Sequence, residues 1–421
     1  MKPVSVPRNQ ALYRILPTFR HTTYTLLKRK DLMSLRPLHF VLPAGWDDPT
    51  RPSGGSIYDL KIQPHLMAAG WDVRNLPFHG TWPRPGQADL KTLDDGLAAL
   101  PERACVLLDG LVACGVPEIV RKHSGRLSMT VLVHLALADE TGLPLEVARS
   151  LEAREREVLQ QVPAVIATSD WARSDLIARH ALPEHKVYAA APGSDGAALA
   201  SGGPGPELRL LSVASITPRK GHLLLIEALA RVRGLPWTCD FVGSTEHASA
   251  YVEQLSSRIE ELGLPDRVRI VGARAGDQLE KFYRNADLML LGSYKETYCM
   301  AAAEALERGV PVLATSAGGL PQAIGSTRGG VVPGALVRPG DADGFGRELH
   351  GWLTEPVQRA AWKAAALERR TTQTGWETTA QQIVSVLNSL PAAPKHPHPG
   401  GTRQLASEAA ASPRPGLPVV R

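Results

Sequence analysis

The 421-residue sequence predicts an α/β protein of two domains, each a parallel sheet covered by helices on both faces. Three observations predict it. Apolar runs of strand length alternate with helical patterns along most of the chain. The alternation is broken by a Gly/Pro/Ser stretch at 201–206 and then resumes, which marks two units. The composition, 43% hydrophobic and 21% charged, excludes collagenous, coiled-coil and largely disordered chains.

The first strand is Leu38-His39-Phe40-Val41-Leu42, closed by Pro43-Ala44-Gly45. Residues 1–36, ahead of it, form a basic extension without periodicity that is expected to be disordered, and Met33 is a second candidate start. Further strand-length runs at 105–108, 129–133, 162–167 and 187–190 complete a first domain, 37–203. Runs at 208–214, 239–242, 268–271, 288–291 and 310–314, with helical patterns at 223–232 and 248–262, give a second domain, 204–374. A late helix starts at Gly375-Trp376-Glu377 and fills 375–390. Residues 391–421 hold seven prolines and almost no large apolar side chain, the composition of a disordered tail.

Charge and cysteine usage narrow the function class. The net charge is +5, but residues 1–36 carry +7 and 391–421 carry +3, so the body of the chain is acidic at −5. No basic stripe with stacking aromatics lies in that body, which argues against nucleic acid as a partner. The basic arm is a candidate for weak contact with a membrane surface. Cys105, Cys114, Cys239 and Cys299 form no CxxC pair, so neither a disulfide framework nor a zinc site is expected, and a reducing, cytoplasmic setting is. No apolar run reaches the roughly 18 residues of a membrane span, and no secretory signal is evident. No Asp-x-Asp pair sits on a strand-end loop, so no metal site is expected.

Parallel sheets bind ligands at the carboxyl ends of their strands, where loops lead into helices. The strand at 287–291 is followed by Gly292-Ser293-Tyr294-Lys295-Glu296-Thr297-Tyr298-Cys299-Met300 and then Ala301-Ala302-Ala303-Glu304. A helix opening near Thr297 would offer the amides of Tyr298, Cys299, Met300 and Ala301 to an anion. Glu304 would stand one to two turns further on, beside a ribose diol, and Glu296 would face a sugar. Two solvated glutamates at a helix start are the plainer reading. On the loop after 208–214, Arg219-Lys220-Gly221 places two adjacent cations where a diphosphate leaving group could be neutralised; a solvated turn is the alternative. His134 ends the run 129–133, where a functional role and a structural histidine are both open. Trp82 could stack on a substrate or pack its own loop.

These motifs together resemble the family 4 retaining glycosyltransferases, which have the GT-B fold: two facing Rossmann-like domains and a cleft between them. The resemblance spans roughly 37–390 and is best in 208–340. It rests on the E-x7-E pair Glu296 and Glu304, on Gly309-Val310-Pro311-Val312 and Gly318-Gly319, on Ser53-Gly54-Gly55, and on Pro192-Gly193-Ser194-Asp195. It implies a nucleotide diphosphate sugar, UDP- or GDP-linked, as donor substrate, with no further cofactor, and a small-molecule or lipid acceptor. Glu296 would contact the donor sugar and Glu304 the ribose. Lys220, helped by Arg219, would bind the diphosphate, and Gly54 and Gly55 would let backbone approach the phosphates. His134 would lie near the reacting sugar. The resemblance further implies front-face displacement, in which the donor phosphate takes the acceptor proton, and a last helix that crosses back to the first domain. Two departures stand out. Ser215 occupies a position that is Arg in many members, and Gln322 follows the Gly-Gly-x-Pro turn where Glu is usual. A sugar-nucleotide epimerase and a non-catalytic sugar-nucleotide-binding protein share this architecture and are the rival readings.

Overall fold

The computed structural model describes residues 35–48, 53–203, 205–246 and 249–390. The basic extension up to residue 34 and the tail 391–421 lie outside the described residues, as does Pro52 of the glycine-rich loop.

The first unit runs β1 (Arg36–Pro43), α1 (Gly54–Ala68), β2 (Trp71–Phe78), α2 (Gln87–Ala98), β3 (Cys105–Asp109), α3 (Gly110–Ala113), α4 (Pro117–Ser124), β4 (Ser128–Val133), α5 (Leu145–Gln161), β5 (Ala164–Ala167), α6 (Asp170–His180) and β6 (Val187–Ala189). The second runs β7 (Leu208–Val213), α7 (His222–Arg231), β8 (Trp237–Val242), α8 (Ser249–Glu261), β9 (Val268–Gly272), α9 (Gly276–Arg284), β10 (Leu288–Leu291), α10 (Met300–Glu307), β11 (Val312–Thr315), α11 (Leu320–Ile324), β12 (Gly334–Val337), α12 (Ala342–Thr354) and α13 (Pro356–Arg370). A final helix, α14 (Trp376–Ser389), follows.

Each unit is a six-stranded, all-parallel sheet, ordered β2-β1-β3-β4-β5-β6 and β12-β11-β10-β7-β8-β9. Burial on both faces explains the near-continuous apolar runs of the inner strands. One face of the first sheet packs on a core that includes Leu93, Ile119, Leu159 and Leu176. The other packs on Tyr58, Ile62 and Leu66 of α1 together with Trp376, Ile383 and Leu387 of α14. The last helix therefore lies on the first sheet, although its sequence follows the second. The two crossing segments run side by side: Ser194 pairs with Gly375, and the Ser194 amide donates to the Thr374 carbonyl at 2.9 Å.

Two strands absent from the sequence expectation, β2 and β12, each form one of the two edges of their sheet. An edge strand faces water along one side, so its apolar pattern is broken: Trp71–Phe78 reads WDVRNLPF, buried only at its ends. Boundaries shift elsewhere. Val162 ends α5 as its C-cap, so β5 starts at Ala164, and the strand expected from 310 starts at Val312.

Strand order reverses between β1 and β3 in the first sheet, and between β7 and β10 in the second. A crevice opens at the carboxyl ends of strands at each such switch point. Among the described residues no helix is long and apolar enough to cross a membrane.

Candidate active site

In the second sheet the switch point lies between the loops leaving β7 and β10. After β7, Ser215 is exposed, Pro218–Lys220 forms a single 3-10 turn, and Gly221 is the N-cap of α7. Gly221 has φ +68°, and a Cβ there would run into the Gly292 carbonyl, so glycine lets the two loops touch. That contact brings Lys220 to Glu296. The ammonium of Lys220 donates to both carboxylate oxygens at 2.7 and 2.9 Å, Ser293 Oγ donates to Oε1 at 2.7 Å, and an Arg219 guanidinium nitrogen stands 3.7 Å away. Burial pushes the Glu296 carboxyl upward in pKa, but Lys220 and then Arg219 outweigh it and hold it below the usual carboxylate range. Arg219 also donates to the Lys295 carbonyl at 3.2 Å, while its Nε is buried without a partner.

The structure corrects one expectation about the loop after β10. The helix opens at Met300 and not near Thr297, because Cys299 takes a left-handed conformation, φ +94°, that turns the chain into the helix. Tyr298 and Cys299 therefore precede the helix, and its leading amides are those of Met300 and Ala301. Glu296, expected to face a sugar, is 5% exposed and accepts from Lys220. The Cys299 thiol is pushed up to about 12 by burial and by the charge of Glu296, so it stays protonated. Glu304 lies on α10 as expected, and Oε2 accepts a 2.6 Å hydrogen bond from the Tyr283 hydroxyl. Arg308 stacks over the Tyr283 ring at 4.5 Å.

The first domain brings its own predicted residues to the same place. Ser53 caps α1, accepting from the Ser56 amide at 3.0 Å, so that Gly54 and Gly55 form the opening turn of a 15-residue helix. A Cβ on Gly54 would stand 3.6 Å from Met300 Cε, and one on Gly55 would press on the His134 ring at 3.0 Å. The first turns of α1 and α10, from opposite domains, thus meet beside His134. Each of these turns carries the positive end of its helix dipole and leading amides without helical partners.

Cross-domain hydrogen bonds lock this arrangement. Thr297 Oγ1 donates to the His134 carbonyl at 2.8 Å, and Ser169 Oγ donates to the Thr297 carbonyl. Gln322, uninterpreted in the sequence, accepts from the Asp170 amide at 3.0 Å and donates from Nε2 to the Asp170 carboxylate at 2.9 Å. A glutamate could accept but could not donate, which is a physical reason for the amide here. Trp82 packs its loop: its indole N–H donates to the Phe78 carbonyl at 3.0 Å and its ring lies on the first-domain core.

Sequence reasoning missed Asp59 and Asp109. His134 Nε2 is 3.0 Å from Asp59 Oδ1, and the nearest polar atoms of His134, Asp59 and Asp109 lie within 4.8 Å of one another. Asp109 ends β3, so the rule that singled out His134 at the end of β4 applies to it as well. Asp59 lies inside α1, with no local signal. A cavity of about 570 Å³ lies elsewhere, lined by Arg209, Asp240, Arg269 and Lys281, and touches none of the predicted site residues.

Two facing parallel sheets with a shared crevice at their switch points define the GT-B class of glycosyltransferase folds. Residues 200–369, which span nearly all of the second domain, match the glycosyl transferases group 1 family. A D-inositol 3-phosphate glycosyltransferase of Kineococcus radiotolerans is 30% identical over 254 residues, which cover 55% of this chain and 58% of that relative. The chain thus spans little more than half the length of that relative. Among solved structures, a sucrose-phosphate synthase from Thermosynechococcus elongatus superposes with a TM-score of 0.70 at 19% identity, covering 84% of this chain and 98% of its own. Anabaena Alr3699/HepE in complex with UDP-glucose gives 0.67 at 19% identity, covering 84% and 100%. At these identities the likeness shows the fold.

Proposed function

We propose that the chain is a retaining, family 4 glycosyltransferase that moves a hexose from a UDP- or GDP-linked sugar to a small-molecule or lipid acceptor. The observation that carries this reading is that Lys220 and Arg219 are held at Glu296, on the loop leading into α10, whose first turn meets that of α1. Such a place suits a diphosphate, whose charge grows as its bond to the sugar breaks. Lys220 has three donors and gives two to Glu296, which leaves one for a phosphate oxygen. The buried Nε of Arg219 supplies another donor without a protein partner. Glu304 Oε1 is the carboxylate oxygen not taken by Tyr283 and would accept from a ribose hydroxyl. The names of the relatives, an inositol phosphate glycosyltransferase and a protein bound to UDP-glucose, support a sugar-nucleotide donor and a polyol acceptor. Four free thiols agree with work in a reducing, cytoplasmic setting.

Thermal melting against a panel of UDP- and GDP-sugars tests this. A ligand that binds the native state raises the melting point, by about 2.7 kcal/mol of added stability at a hundredfold excess over Kd. Stabilisation by UDP- or GDP-sugars supports the proposal, and a melting point unmoved by every nucleotide sugar contradicts it.

A further inference from the structure

Three side chains far apart in sequence form a closed group at the first-domain switch point. Asp59 of α1 is 1% exposed, Asp109 at the end of β3 is 5% exposed, and the His134 side chain after β4 is 17% exposed. The hydrogen bond between His134 Nε2 and Asp59 Oδ1 uses one carboxylate oxygen. The other, Oδ2, is buried with no donor. Asp109 is the neighbour able to supply one, but only if it carries a proton, since its Oδ1 already accepts from the Leu111 amide at 2.6 Å. Two carboxylates this close in a dry environment do not both ionise, so one proton serves the pair.

We propose that Asp59 and Asp109 are positioning residues that share one proton and hold His134 as a charged hydrogen-bond donor, its Nδ1–H presented to an oxygen of the bound substrates. Below the Asp109 midpoint the group is then neutral overall: one carboxylate, one carboxylic acid and one imidazolium. That composition is what burial permits. From α1 the ring meets Tyr58 and Asp59, from β3 it meets Asp109, and the loop before α10 approaches with the uncharged Thr297. Tyr58 is neutral, its hydroxyl donating to the Ala190 carbonyl at 2.8 Å. Burial pushes His134 down, but Asp59 and then Asp109 outweigh it and lift it to about 9; burial and the charge of Asp59 lift Asp109 to about 7. At neutral pH His134 is thereby a donor and a fixed positive charge, not a base. This fits an acceptor proton that leaves by way of the donor phosphate. Nδ1 has no partner among the described residues and is the ring nitrogen left for a ligand.

The kinetic part of this inference rests on the proposed transferase activity, but the charge state does not, so the two can fail separately. The test is a pH titration of the full chain labelled at histidine, followed by NMR, with the His134 ring signals assigned by their loss in His134→Gln. The expected result is a ring that stays charged from pH 6 to 8 and titrates near 9. In Asp59→Asn the midpoint falls to about 6.5 or lower, and kcat at pH 8 drops roughly tenfold or more relative to pH 6, where the wild type stays flat. A wild-type ring that titrates near 6.5, or a midpoint unchanged in Asp59→Asn, overturns the proposal. If Asp59→Asn does not fold, the wild-type titration alone decides. A charged ring at pH 8 with pH-independent turnover in a folded Asp59→Asn would overturn the positioning role, even with transferase activity intact.

Discussion

The two switch points of the molecule solve the same electrostatic problem in opposite ways. In the second domain, Glu296 is buried as an anion because Lys220, Arg219 and Ser293 surround it, and its carboxyl is held low. In the first, two acids and one histidine are buried together, and Asp59 and Asp109 are held high. Opposite charge settles the second-domain site, and a shared proton settles the first-domain site. A site balanced by permanent charges keeps its state across the physiological pH range. A site balanced by a proton answers to pH.

The sharpest way to break this comparison is to remove a permanent charge. Lys220→Ala leaves Glu296 buried with its nearest full charge gone, and breaking a buried pair in this way costs roughly 3–5 kcal/mol of stability. It also removes the cation at the leaving diphosphate, which typically costs about 10²–10³ in rate. Lys220→Ala combined with Glu296→Gln should recover melting temperature but not kcat. Equal recovery of both, measured by calorimetric melting and steady-state kinetics, would make the pair purely structural.

Arg219 sharpens the same point at a smaller scale. Arg219→Ala loses one charge-assisted donor, about 1.5–3 kcal/mol, so kcat should fall roughly 10- to 150-fold. Ser215→Arg in that background should restore part of it, since Ser215 is exposed on the same loop. Full activity in Arg219→Ala would show that its buried Nε meets no ligand.

The first-domain site should declare itself in the pH dependence of stability. His134 is raised from 6.5 to about 9, so its contribution is fully present below about 6.5 and is lost as pH rises through about 9. Asp109, raised from 3.8 to about 7, loses its contribution lower down, by about pH 7. Between pH 7 and 9 the chain should lose up to ~3 kcal/mol through His134, and His134→Gln should flatten that part of the melting curve. An equally steep fall in His134→Gln would assign it to other groups. The smallest expected effect is Gln322→Glu, which loses the hydrogen bond to Asp170 and sets two carboxylates against each other across the domain boundary. It should lower the melting temperature through about 1 kcal/mol.

The same contrast explains what the sequence revealed. Arg219, Lys220, Glu296 and Glu304 belong to two continuous loop-and-helix motifs, so their spacing shows in a linear reading. The pairing of Lys220 with Glu296 does not show, because it depends on the Gly221 backbone touching Gly292. Asp59, Asp109 and His134 come from a helix and two strand ends, and only the strand order brings them together. The inner strands were legible because both faces are buried. Among the edge strands, β6 and β9 still show as short apolar runs, whereas β2 has a polar, exposed middle and β12 is only four residues opened by a glycine. The start of α10 was misplaced by three residues because a left-handed cysteine has no sequence signature, unlike a glycine.

Everything proposed for the second domain presumes that its switch point holds a nucleoside diphosphate, and calorimetric titration of free UDP and GDP tests this most directly. Glu304 is the residue to vary, because it stands apart from the Lys220–Glu296 pair and its loss should not disturb that pair. One of the two nucleotides should bind the wild type, and Glu304→Ala should weaken it by one charge-assisted hydrogen bond, roughly 1.5–3 kcal/mol, or about 10- to 150-fold in Kd. Affinity for that nucleotide unchanged in a folded Glu304→Ala would contradict the account.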